Sequence, residues 1–115
     1  MKLYAAFVFL LLAEIGNANA QSGHPYKLNW EIPGEELIYR SCGCADACWV
    51  AEVRSVRKMT VKATLRCDCE KLYFSEGKGL ERIVSADCNE FSQVGKMDLI
   101  SKRTKELRSP ASRKK

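Results

Sequence analysis

The sequence predicts a small, mainly β protein of the α+β class: a disulfide-stapled antiparallel meander of about four strands with a short C-terminal helix. Three observations carry this. Residues 58–70 alternate strictly, with Met59, Val61, Ala63, Leu65, Cys67 and Cys69 on one side and Lys58, Thr60, Lys62, Thr64, Arg66, Asp68 and Glu70 on the other. That period of two is the mark of a half-buried strand. All six cysteines fall between Cys42 and Cys88. Met97, Ile100, Thr104 and Leu107 recur at the spacing of one helical stripe.

Taken in chain order, residues 1–20 read as a secretory signal peptide: Lys2, an apolar run over 3–13, and the small-x-small site Ala18-Asn19-Ala20. The run is too short for a spanning helix, which needs about 20 apolar residues. Cleavage after Ala20 predicts a secreted or periplasmic protein with no transmembrane segment after cleavage. Residues 21–35 hold Pro25, Pro33 and Gly34 and form an irregular lead. Residues 36–42 are a first strand, entered after the Pro33-Gly34 turn. Residues 49–56 alternate loosely and make a second. Residues 58–70 are the third. Residues 80–88 are the fourth, after a Gly-containing turn centred between Lys78 and Gly79. The disulfide-bonded β domain thus spans 36–95. Residues 96–115 are a basic tail, with a helix over 97–108 stopped by Pro110.

Charge is unevenly placed in the 115-residue chain of net charge +5. Residues 21–95 carry ten basic and eleven acidic side chains, whereas 96–115 carry eight basic and two acidic. The body is near neutral and the tail supplies the excess. Lys102, Arg103, Lys105, Arg108, Arg113, Lys114 and Lys115 are the candidates for contact with an anionic surface, whether lipid, cell-wall polymer or acidic glycan. An exported chain meets little nucleic acid, so none is expected as a partner.

Export also decides how Cys42, Cys44, Cys48, Cys67, Cys69 and Cys88 are read. An even number of cysteines in a short exported chain implies disulfides. A body of roughly 60 residues buries too little to stand without such staples. A turn centred between Arg57 and Lys58 sets Cys48 opposite Cys67, and a turn between Lys78 and Gly79 sets Cys69 opposite Cys88. Taken alone, those two pairs leave Cys42 and Cys44 to each other in a strained ring. A nested set, Cys42–Cys88, Cys44–Cys69 and Cys48–Cys67, relieves that strain and is preferred, among fifteen possible pairings. The competing chemistry is a thiol-based metal or redox site on the two Cys-x-Cys pairs. No histidine lies near them, and no metal or cofactor is expected.

No catalytic constellation is visible. His24, the one histidine, sits in the irregular lead. Glu35 and Glu36 are sequence neighbours and on a strand point apart. A cysteine nucleophile would need a base that the body lacks. The sequence therefore predicts a non-enzymatic chain that binds another macromolecule, most naturally a protein, as an inhibitor, an immunity factor or a secreted effector. Tyr26 and Trp30 in the lead, and Tyr73 and Phe74 beside the glycine turn, are the candidate binding surface, since exposed aromatics anchor interfaces.

Overall fold

The computed structural model describes residues 24–108; the signal-peptide reading of 1–20 and the tip at 109–115 fall outside them. Six strands form one antiparallel meander in the order of the chain. They are β1 (Tyr26–Leu28), β2 (Glu35–Gly43), β3 (Cys48–Ser55), β4 (Val61–Asp68), β5 (Leu72–Glu76) and β6 (Arg82–Ser85). The one α-helix among the described residues, α1 (Lys96–Arg108), follows.

The class is as the sequence predicts, with two strands more. β1 lies in the lead expected to be irregular, pairing Tyr26 with Tyr39 and Leu28 with Leu37. At three residues it is too short to show a period. β5 was hidden because no glycine or proline announces the turn before it. That turn is made by Cys69 at φ 83. Asp68 stabilises it by accepting hydrogen bonds from the backbone N–H groups of Glu70 (3.0 Å) and Lys71 (2.8 Å).

The β3–β4 register has a specific correction. Arg54 pairs with Val61, as a turn centred between Arg57 and Lys58 requires. A bulge then intervenes, and from Val53↔Ala63 onward the strands are displaced by one residue, so that Trp49, not Cys48, faces Cys67. Lys62 is the extra residue. A bulge re-aims its side chain, and the Lys62 ammonium reaches the Glu35 carboxylate at 2.8 Å.

One sheet face is the core. Leu37, Tyr39, Trp49, Ala51, Val53, Ala63, Leu65, Cys67, Leu72 and Phe74 are all buried on it. α1 lies across this face, burying Ile100, Ser101 and Thr104, with Met97 and Leu107 packed at its flanks. The two buried hydroxyls are satisfied. Thr104 Oγ1 donates to the Ile100 carbonyl at 2.7 Å, and Ser101 Oγ donates to the Asn29 carbonyl at 2.9 Å. The helical stripe at the start of the basic tail is thus part of the core. No described helix lies against the opposite face.

All six cysteines are paired, as Cys42–Cys48, Cys44–Cys69 and Cys67–Cys88. Of the nested set only Cys44–Cys69 is present; Cys42–Cys88 and Cys48–Cys67 are not. The one-residue displacement at the bulge removes Cys48 from Cys67, and the turn at Cys69 stops the strand before it can face Cys88. Cys42 and Cys48 instead meet across the β2–β3 connection, a separation of six residues. Cys67 points into the core, but Cys69, expected on the same face, is exposed in the turn.

Candidate binding groove

Three connections converge at the cysteine-bearing end of the sheet. The β2–β3 connection, Cys44–Asp46, holds three successive residues at positive φ: 52° for Cys44, 52° for Ala45 and 75° for Asp46. Non-glycine residues resist that region. Here the conformation is pinned by Cys44–Cys69, which ties this turn to the β4–β5 turn. Cys67–Cys88 ties β4 to the segment after β6. Between the three runs lies a groove of about 720 Å³. Trp49 and Phe91 line its base, edge to face with centroids 5.1 Å apart. Ala45, Ala47, Glu70, Lys71, Ala86, Asp87, Asn89, Ser92, Gln93 and Lys96 contribute to its walls and rim.

Asp46 organises one side. Its Oδ1 accepts from the Tyr39 hydroxyl at 2.9 Å and its Oδ2 from the Lys96 ammonium at 2.9 Å; Lys96 also donates to the Asp46 backbone carbonyl at 2.9 Å. Partial burial works to raise the Asp46 pKa. Hydrogen bonds from Lys96, Ser41 and Tyr39 outweigh it and hold the carboxyl below its ordinary value. Burial, then the hydrogen bond to Asp46, pushes the Tyr39 phenol well above its own. The Lys96 ammonium lies 5.6 Å from the centre of the Tyr39 ring and 6.0 Å from that of Trp49. The first residue of α1 is thereby fixed to the rim of the groove. Asp46 and Lys96 are 50 residues apart, and no local sequence pattern joins them.

The four aromatics expected to form one surface do not meet. Phe74 is buried in the core, because strand parity puts it beside Leu72 and Leu65 on the helix-covered face. Trp30 packs against the core and donates its indole N–H to Glu35 at 3.1 Å. Tyr26 is 49% exposed but leans on Tyr39, with centroids 5.3 Å apart. Tyr73 lies on the opposite face, beneath the Arg66 guanidinium at 4.3 Å.

The basic residues of α1 are largely committed within the fold. Arg108 donates to both oxygens of Glu35, at 2.8 and 3.4 Å. Lys105 pairs with Glu31 at 2.9 Å, and Arg103 with Glu90 at 3.2 Å. Lys102 is exposed. Arg113, Lys114 and Lys115 lie outside the described residues. Of the residues expected to meet an anionic surface, Arg103, Lys105 and Arg108 are thus held in ion pairs within the fold.

Glu35 is the hub at the other end of the sheet. Its side chain is 6% exposed and receives Arg108, Lys62 and Trp30. Burial works to raise its pKa, but the hydrogen bonds from Arg108, Lys62 and Trp30 override it and hold the carboxyl at about 2. The thiolate metal site weighed from the two Cys-x-Cys pairs does not form, since Cys44 and Cys69, one from each pair, are bonded to each other. Among the described residues no group of three or more histidine, cysteine, aspartate or glutamate side chains is placed to hold a metal. Nor is any described helix long and apolar enough to cross a membrane. Comparison with protein families, with curated proteins and with solved structures finds no match to this chain.

Proposed function

We propose that this chain is an exported protein that acts by non-catalytic binding of another macromolecule, as an inhibitor, an immunity factor or a secreted effector, and that the groove at the disulfide end receives part of that partner. The observation that carries this is the cross-linking of the groove's walls. Cys44–Cys69 and Cys67–Cys88 fix three connections that would otherwise be the most mobile parts of a meander. A concave site ordered before binding loses little entropy when it is filled, which favours affinity. Its aromatic base and polar rim are the composition of a binding pocket. Three disulfides in so small a sheet also fit an oxidising compartment outside the cytosol.

Capture on immobilised protein, from envelope and secreted fractions of the native cells, tests the reading. The wild type is expected to retain a protein or polymer that Ala86→Trp, which fills the groove from its wall, retains at least tenfold less at an unchanged melting temperature. Equal retention by the wild type, by Ala86→Trp and by a reduced and alkylated sample would remove the groove from the function.

A further inference from the structure

The sheet face opposite α1 carries a second arrangement, distinct from the groove. Cross-strand pairing sets Arg40 against Val50, Val50 against Arg66, Arg66 against Tyr73, and Tyr73 against Ile83, one row over five strands. Beside it, Ile38 stands between Lys27 and Glu52. No described element covers this row, and Ile83 at its edge is 57% exposed.

The charges on this face are almost all answered from within it. Glu36 pairs with Lys27 at 3.3 Å and Glu52 with Arg54 at 2.8 Å. Glu81 takes both Nε and Nη2 of Arg66, at 2.6 and 2.8 Å. Asp68 is occupied by the backbone N–H groups of Glu70 and Lys71. Arg40 has no ion pair or side-chain hydrogen bond among the described residues. Its cross-strand neighbour is the aliphatic Val50, and the β2 bulge begins one residue on, at Ser41. A guanidinium with an aliphatic cross-strand neighbour, on a face whose carboxylates are engaged in pairs of their own, has the composition of an interface anchor.

We infer that this face docks a partner protein that brings a carboxylate to Arg40 and an apolar patch to Ile38, Val50, Tyr73 and Ile83. The occupant follows from charge complementarity. A second copy of this chain would present the same face, whose carboxylates are already engaged, and would set one Arg40 near another. The chain's own C-terminal residues 109–115 bring Arg113, Lys114 and Lys115, cations that Arg40 repels. A separate protein with a free aspartate or glutamate answers the Arg40 guanidinium. The inference rests on the reading of the chain as a binder and adds a second contact surface to it.

The test uses Arg40→Lys, which keeps the charge and supplies an amine for zero-length carbodiimide coupling to a carboxylate. The full mature protein is mixed with the same envelope and secreted fractions, coupled, digested and sequenced by mass. Expected is a cross-link from position 40 to an aspartate or glutamate of a second protein. Arg40→Glu should weaken capture of that protein about 100-fold, with recovery when the identified carboxylate is changed to lysine. Position 40 cross-linked only to a second copy of this chain would overturn the inference. So would co-sedimentation with anionic phosphatidylglycerol vesicles that Arg40→Glu abolishes, without a protein cross-link. Capture that responds to Ala86→Trp but neither couples at position 40 nor changes in Arg40→Glu overturns the sheet-face partner and leaves the groove standing. Absence of any retained macromolecule overturns both.

Discussion

Where β2 turns into β3 and β4 into β5, the chain is closed by Cys44–Cys69, Cys67–Cys88 and Cys42–Cys48, and the residues around them are mostly exposed and polar. At the opposite end Glu35 gathers Arg108, Lys62 and Trp30 around a carboxylate that is 6% exposed, and no cysteine takes part. The difference shows what each kind of link permits. A disulfide holds its ends together whatever surrounds it, so three residues at positive φ and an open groove can persist beside water. An ion pair strengthens as water is excluded, so the Glu35 cluster needs the packing of Trp30 and the last turn of α1 over it. The exposed end is free to serve as a site, and the packed end secures the helix without obstructing it.

Breaking the covalent end should cost most. In Cys67→Ala/Cys88→Ala, the loss combines a cross-link spanning 21 residues with a small cavity where Cys67 is buried. About 4 kcal/mol of unfolding free energy is expected to disappear in urea titration. Removal of the Glu35 carboxylate comes next. Glu35→Ala leaves the Arg108 guanidinium without its main partner in a partly buried site and should cost about 3 kcal/mol. The same cluster sets a pH dependence. Because the folded pKa of Glu35 lies at about 2, below its usual 4.5, its contribution is complete above that usual value and is lost as pH falls from there toward the folded one. Glu35→Gln should therefore flatten the fall of melting temperature with acid in that window; an unchanged slope would mean that other carboxylates govern it. The smallest effect belongs to Cys42→Ala/Cys48→Ala, whose loop spans only six residues. About 2 kcal/mol is expected from loop closure, with the groove and the Glu35 cluster both retained.

Much of the core was legible from alternation alone. Met59 to Cys69 gave the period of the central strand, and the core members of β4 (Ala63, Leu65 and Cys67) fall on the expected side. The helix was legible from the same kind of evidence, since a 3.6-residue period and a stopping proline need no tertiary information. What resisted was any feature set by one residue's departure from regularity. The bulge at Lys62 displaces the register by one and breaks the inferred Cys48–Cys67 pairing. Cys69 turns the chain without a glycine, so β5 and its burial of Phe74 were not separable from the preceding strand. The groove was the least legible part. Asp46 and Lys96 meet only because α1 crosses the sheet, and Trp49 and Phe91 are brought together by Cys67–Cys88.

Hydrogen exchange at neutral pH on two variants, Cys44→Ala/Cys69→Ala and Glu35→Gln, tests the separation of the two ends most directly. If sulfur and charge close independent parts of the fold, the first variant accelerates exchange at 44–47, 69–71 and 86–91 and leaves 30–35 and 104–108 protected. The second does the reverse. Acceleration of the same segments in both variants would contradict this division, and with it the view that the disulfides hold the groove open independently of the Glu35 cluster.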